Sequence, residues 1–330
     1  MFSYIARRFI YMIIVLLLLS VVAFIIIQLP PGNYLTSLIA SLRASGQEVN
    51  EGKILSLQRQ YGLDLPMYQQ YFKWMWKMFH GDFGRSFYFN KPVADLIAER
   101  LPLTIIVSLF AFVFAYVVAI PIGIYSAIRQ YSINDYILTI VGFIGLAVPN
   151  FLLALILMFF FLKYFGLSPG GLFSPQYVMA DWSMGRFVDL LKHLPIPTIV
   201  IGTAGTAALI RVMRGCLLDE LRKQYVITAR AKGVAERILL FKYPVRVAVN
   251  PVISTIGWVL PSLISGETIT AIVLNLPTTG PLLFQALLSQ DMYLAGSTVM
   301  FLSFLVVIGT FISDILLVRL DPRIRYEKGV

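Results

Sequence analysis

Six stretches of this 330-residue chain are apolar over about twenty residues or more, the length a helix needs to cross a bilayer core about 30 Å thick. They are Phe9–Leu29, Leu103–Ala127, Tyr136–Leu162, Leu194–Met213, Val247–Val273 and Ser297–Val318. Within them only Glu267 and Asp314 are acidic. In hydrocarbon the backbone must satisfy its own hydrogen bonds, so runs of this length predict helices. The expected fold is an all-α integral membrane protein with six transmembrane helices. Overall, 58% of residues are hydrophobic and 13% charged. An ordinary soluble domain is about 25% charged, so a water-soluble enzyme and a disordered chain are both excluded. The first run is too long for the apolar core of a signal peptide, and no A-x-A cleavage site follows it.

The net charge of +10 acquires a meaning from topology. With the N-terminus inside, the inner segments 1–8, 128–135, 211–246 and 319–330 hold 16 basic residues in 64 positions. The outer segments 30–100, 163–193 and 274–296 hold 11 in 125. Basic residues favour the cytoplasmic side, so both termini are expected there, in a multi-pass plasma (cell inner) membrane protein. The charge excess is thus an orientation signal, and no nucleic-acid partner is expected. The lone Cys216 excludes an internal disulfide, and His80 and His193 offer little to a metal.

The spans divide the chain. Residues 1–29 form a cytoplasmic tail and first helix, 30–102 an extracytoplasmic segment, 103–318 the core of five helices, and 319–330 a cytoplasmic tail. In the outer segment, Met67, Tyr68, Tyr71, Phe72, Trp74, Met75, Met78 and Phe79 fall near helical spacing. Such a helix either lies at the membrane interface or packs on its own segment. His80 follows it as a polar loop residue.

The longest inner loop, 214–246, carries the strongest local pattern. Asp219 and Glu220 are expected to begin a helical stretch, with Asp219 and Lys223 as an i,i+4 pair. Gly233 is placed to end that stretch in the left-handed conformation. A second stretch, Val234–Tyr243, is expected to stop at Pro244. The small residues Thr228, Ala229, Ala231 and Gly233 allow another surface to approach.

The loop sequence QYVITARAKGVAERILL resembles the EAA-type cytoplasmic loop of ABC-importer permeases, in the version found in the dipeptide/oligopeptide/nickel permease family. Thr228, Ala229, Arg230, Ala231 and Lys232 match its T-A-R-A-K run, and Gly233 its glycine. Ile227 and Val245-Arg246 depart from the general signature, as in the peptide branch. Further motifs follow in order along the chain. They are Pro31-Gly32, Tyr61-Gly62-Leu63-Asp64-Leu65-Pro66 with Gln69-Gln70-Tyr71, Gly81-Asp82-Phe83-Gly84-Arg85-Ser86, Pro121-Ile122-Gly123, and Asp321-Pro322-Arg323. Relatives usually carry a glutamate six residues before a P-G-L-G run. Here that position is Ala271, Pro277 is followed by Thr278-Thr279-Gly280, and Glu267 lies one helical turn earlier.

The resemblance implies a type I ABC-importer permease fold and one of two homologous membrane subunits. The implied partners are the second permease, two cytosolic ABC ATPases and an extracytoplasmic substrate-binding protein, all assembled in a lipid bilayer. The implied cargo is oligopeptides or peptide-like solutes, with oligosaccharides as the alternative. No cofactor is expected on this chain, and the G-x-x-x-x-G-K-[ST] phosphate loop is lacking, so ATP and Mg belong to the partner ATPases. The residues implied in ATPase coupling are Thr228, Ala229, Arg230, Ala231, Lys232, Gly233, Glu236 and Arg237. Glu267 is read either as a cavity carboxylate or as a structural one. Asn150 either caps a broken helix or bonds a neighbour, and Asp314 pairs with a basic residue. Pro277, Thr278, Thr279, Gly280 and Pro281 either contact the binding protein or form a plain connector. Of two other classes, a secondary transporter would show inverted repeats. An intramembrane enzyme would show a motif such as His-Glu-x-x-His or Gly-x-Ser-x-Gly. Neither pattern is evident, and no enzyme activity is expected.

Overall fold

The computed structural model describes residues 2–28, 52, 65–166, 170–256, 259, 262 and 268–320. Glu267, Pro31-Gly32, Tyr61–Asp64 and Asp321-Pro322-Arg323 lie outside the described residues. Among the described residues the fold is helical. The helices are α1 (Phe2–Gln28), α2 (Met67–Phe79), α3 (Val93–Ile128), α4 (Ile133–Ala147), α5 (Asn150–Phe165), α6 (Met184–His193) and α7 (Pro195–Leu221). They continue as α8 (Gln224–Ala231), α9 (Glu236–Lys242), α10 (Pro244–Ser254), α11 (Thr268–Val273), α12 (Thr279–Leu288) and α13 (Met292–Leu320). Of these, α1, α3, α7 and α13 are long and apolar enough to cross a membrane, and α4 with α5 make a fifth span if the bent pair counts as one. The fifth expected span, 247–273, lies partly outside the described residues.

Three boundaries differ from the sequence expectation. The run Tyr136–Leu162 is two helices, α4 and α5, bent by 105°. Pro149 has no N–H to donate and disfavours helical backbone at the residue before it, so Val148 turns extended (φ −83°, ψ 120°). Pro149, not Asn150, takes the cap position, and Asn150 is the first residue of α5. Helix α3 starts ten residues before Leu103. Its first turns bury Val93, Leu96 and Ile97 at i, i+3, i+4 spacing, while Asp95 and Glu99 point to solvent. Helix α7 runs two turns beyond Met213, which puts Asp219 and Glu220 at its end rather than at the start of a new helix. The Asp219–Lys223 helical pair therefore does not form, because Leu221 closes the helix between them.

The chain divides into two compact units. One comprises Met1–Arg8, Ile105–Leu276 and Ile308–Val330. Here α7 packs against α4, α5, α6 and α10. It buries Val200, Leu209, Met213 and Leu217 completely. Two glycines set its distance from α3. A Cβ at Gly202 would lie 2.6 Å from the Phe114 ring and 3.0 Å from the Ala111 carbonyl oxygen. A Cβ at Gly123 would lie 2.6 Å from Met213 Cβ and 3.1 Å from the Ile210 carbonyl oxygen. The Pro121-Ile122-Gly123 motif therefore marks a close helix crossing. Asp135 on α4 is buried and accepts hydrogen bonds from Arg214 Nη2 on α7 and the Tyr131 N–H, each at 3.0 Å. Asp314 pairs with Arg8 at 2.9 Å, so its basic partner comes from the opposite end of the chain.

The other unit comprises Phe9–Thr104 and Pro277–Val307. Its core gathers Phe24 of α1, Trp74 and Met75 of α2, Val93, Leu96 and Ile97 of α3, Leu282 and Ala286 of α12, and Tyr293, Leu294 and Ala295 of α13. Asp291, fully buried, accepts from Ser86 Oγ at 2.6 Å, Tyr88 N–H at 3.1 Å and Leu294 N–H at 3.2 Å. The Gly81–Ser86 motif thus has a structural role. Ser86 meets Asp291, and Gly84, at φ +78°, leaves room for the Tyr293 ring 2.7 Å from where a Cβ would stand. Segment 274–296, expected as a loop, contains helix α12 and the start of α13. The first N–H of α12, at Thr279, donates to Thr104 Oγ1 at 2.9 Å, so a neighbouring helix supplies the cap.

Gly123→Val should reduce folded protein sharply, since overpacking a tight crossing costs about 1–3 kcal/mol. Gly205→Ala, whose Cβ would meet nothing within 4 Å, should leave it unchanged. Monodispersity of the detergent-extracted protein on size exclusion checks both.

Candidate functional site: the helix–glycine–helix turn

Helices α8 and α9 enclose the turn at Gly233. Helix α8 ends in a closed pattern of backbone bonds. Gly233 N–H donates to the Arg230 carbonyl at 3.0 Å, and Val234 N–H to the Ala229 carbonyl at 3.3 Å. These are the two bonds of a Schellman motif, which needs a left-handed residue at its centre. Gly233 supplies it with φ +78°. A Cβ at Gly233 would meet nothing within 4 Å. Within this chain, backbone conformation rather than crowding calls for glycine here.

Across the turn the Arg230 guanidinium grips the Glu236 carboxylate with two hydrogen bonds, Nη2–Oε1 at 2.6 Å and Nε–Oε2 at 3.1 Å. This fork closes the end of α8 onto the first residue of α9. The Arg230 bonds hold the Glu236 carboxyl below the usual carboxylate range against desolvation, and Glu236 in turn raises the Arg230 guanidinium. Because the Glu236 value is depressed on folding, the contact contributes above the ordinary carboxylate pKa. It is lost as pH falls through the folded value. At neutral pH the clip is fully formed.

The pair of helices is seated by Val226, Leu239 and Leu240, all buried. Helix α9 packs on α8 and on α10, which Pro244 starts at its first position. Tyr225 donates to the Glu220 carboxylate at the end of α7. Burial, then that carboxylate, push the Tyr225 hydroxyl up to about 12, so the donor stays protonated through the neutral range. The turn is thereby linked to α7, the helix that packs against α4, α5, α6 and α10. Of the residues expected here from sequence, Thr228, Arg230, Ala231, Lys232, Gly233, Glu236 and Arg237 are exposed together around the turn, and Ala229 is half-buried. Ile238 and Phe241, one turn apart on α9, are also exposed, at 58% and 57%. The sequence reading missed them. Their signal was that the apolar run Ile238–Phe241 is longer than one face of so short a helix can bury.

The other expected site residues are dispersed. Asn150 is half-buried at the start of α5. Thr278 and Thr279 are buried, Pro277, Gly280 and Pro281 are half-buried, and the segment forms the capped start of α12. A separate cavity of about 700 Å³ lies between α5, α6 and the start of α7, lined by Phe161, Tyr177, Met184, Val188, Lys192 and His193 among others. Beside it the Asp189 carboxylate accepts from the Ser174 N–H and Oγ, each at 2.7 Å. Burial pushes that carboxyl up, but these bonds and the nearby His193 and Lys192 hold it below its ordinary value. Among the described residues no cluster of His, Cys, Asp and Glu could hold a metal ion.

Residues 119–326 match the family described as binding-protein-dependent transport system inner membrane component. Residues 1–110 match the N-terminal region described for the same systems. The oligopeptide transport system permease protein AppB of Bacillus subtilis is 35% identical, over 99% of this chain and 100% of its own. A putative peptide transport system permease protein of Brucella abortus is 33% identical over the same shares. The dipeptide transport system permease protein DppB of Alkalihalophilus pseudofirmus is 30% identical over 99% of this chain and all of its own.

Gly233→Val should open the turn, since a β-branched residue pays about 1–2 kcal/mol or more in left-handed backbone. Tryptic cleavage after Arg230 and Lys232 in the detergent-extracted protein should accelerate about tenfold, whereas Gly233→Asn, which tolerates that conformation, should stay near the native rate.

Proposed function

The chain belongs to the family of binding-protein-dependent transport system inner membrane components, and from that membership we propose that it is one of two homologous permease subunits of an ABC importer. Together the two subunits form the translocation pathway. Its cargo is oligopeptides or peptide-like solutes. Relatives named for oligopeptide, dipeptide and peptide transport, matched end to end, support peptides over oligosaccharides. The chain is a transport subunit rather than an enzyme. ATP and Mg bind to two separate cytosolic ATPases, and an extracytoplasmic protein delivers the cargo. The basic bias of the inner segments supports cytoplasmic termini.

The observation that carries the coupling role is the turn at Gly233. Two short helices are clipped by Arg230–Glu236, seated by buried Leu239 and Leu240, and joined directly to α7 and α10. Such an element moves as a unit. Ile238 and Phe241 supply an apolar anchor, and Lys232 and Arg237 a charged rim, for a groove on an ATPase. Closure of the ATPases then pushes α9 and, through it, α7 and α10, switching the pathway between its two faces. Asn150, at the break between α4 and α5, and Glu267 remain the residues proposed for the pathway. Half-buried Pro277, Gly280 and Pro281 are proposed for the binding-protein contact.

Ile238→Asp should leave the amount of chain in the membrane unchanged. It should cut peptide uptake about tenfold or more and remove the ATPases from the affinity-purified complex, as expected for loss of an apolar anchor. Retention of the ATPases at the native ratio would contradict the assignment.

A further inference from the structure

Helix α2 has three faces. Tyr71, Trp74, Met75 and Met78 pack into the core of their unit. Gln69, Lys73 and Lys77 form a polar face. Between the two runs a third stripe, Tyr68, Phe72, Trp76 and Phe79, at i, i+4, i+8 and i+11, which places all four on one side of the helix. These four are 62%, 67%, 68% and 75% exposed. The apolar arc of α2 is therefore wider than the surface it buries. A helix that only packed on its own segment would present polar residues there.

The contacts of α2 fix its level along α1. Gln70 accepts a hydrogen bond from Gln28 at the end of α1, at 3.0 Å. Tyr71 shares one with Ser20 at 2.8 Å, and the rings of Tyr71 and Trp74 lie 5.5 and 5.8 Å from that of Phe24. Ser20 and Phe24 lie inside the apolar span Ile5–Ile26. From Gln28 back to Ser20 is about 12 Å of helix at 1.5 Å per residue. Helix α2 thus packs beside the last turns of a membrane-spanning segment, not beyond it. Val22 and Ile26 of α1, 50% and 56% exposed, present apolar side chains at the same level. Tryptophan and tyrosine favour this layer, and Lys73 can extend its ammonium to headgroups from the flank.

We propose that α2 is an interfacial helix whose Tyr68–Phe72–Trp76–Phe79 stripe inserts into the lipid leaflet at the C-terminal end of α1, anchoring the Phe9–Thr104 segment to the bilayer surface. The partner is the lipid itself, at the boundary of headgroups and upper acyl chains. One helix then serves two contacts: its buried face holds α1, and its aromatic stripe holds the leaflet.

The test uses the full chain with its co-purifying subunits in nanodiscs of phosphatidylcholine brominated near the top of one acyl chain. Trp76 emission is isolated as the difference between the native complex and the same complex carrying Trp76→Phe, a substitution that leaves buried Trp74 untouched. Brominated lipid should quench that difference emission by about half or more, as expected for an interfacial indole, and exceed the quenching by aqueous iodide. Quenching by iodide alone would put the stripe in water and overturn the proposal. Quenching by neither would mean that another protein subunit covers it, which overturns it equally.

Discussion

A backbone inside a bilayer has no water to bond with, so every N–H and C=O within the hydrocarbon must find its partner in the protein. Among the described residues, four departures from helical geometry, inside and outside the apolar spans, are each tied to a named residue. Pro149 removes a donor where α4 gives way to α5, and Val148 turns extended before it. Thr104 supplies the oxygen for the first N–H of α12. Gly233 takes the left-handed conformation that lets Val234 and Gly233 bond back to the carbonyls of α8. Buried Asp291 gathers two backbone donors and a serine hydroxyl where α12 ends and α13 begins.

That constraint also explains what was legible from the residues and what was not. Apolar run length reports the cost of leaving water, so α1, α7 and α13 stand out in the sequence. It says nothing about the hydrogen-bond ladder, and the unbroken apolarity of Tyr136–Leu162 conceals a 105° bend. Charges mislead in the other direction. Asp95, Glu99 and Arg100 hide the first turns of α3, whose opposite side buries Val93, Leu96 and Ile97. Asp219 and Glu220 look like the start of a helix because acids suit that end. Here Glu220 is instead held by the Tyr225 hydroxyl, a contact between residues on two different helices.

The helix–glycine–helix turn was the most readable part of the site, because its glycine, its small residues and the proline that follows are local signals. The clip between Arg230 and Glu236 was less so. The two residues are six apart and meet only because the turn reverses the chain. Ile238 and Phe241 were missed because exposure depends on how α9 is seated by Leu239 and Leu240. The motifs 81–86 and 121–123 have structural explanations in the packing of Gly84 against Tyr293 and of Gly123 against Met213. The motifs singled out in the sequence therefore mark both the glycine turn at Gly233 and the close approaches at Gly84 and Gly123.

In the proposed assembly, the exposed surface around Gly233 is where an ATPase engages the permease. Site-specific photo-crosslinking from position 237, with a benzophenone amino acid in place of Arg237 in intact cells, tests it most directly. Light should join the chain to an ABC ATPase subunit, identified by mass spectrometry, in a single dominant adduct. An adduct only with lipid, with the second permease or with an unrelated protein would contradict the account.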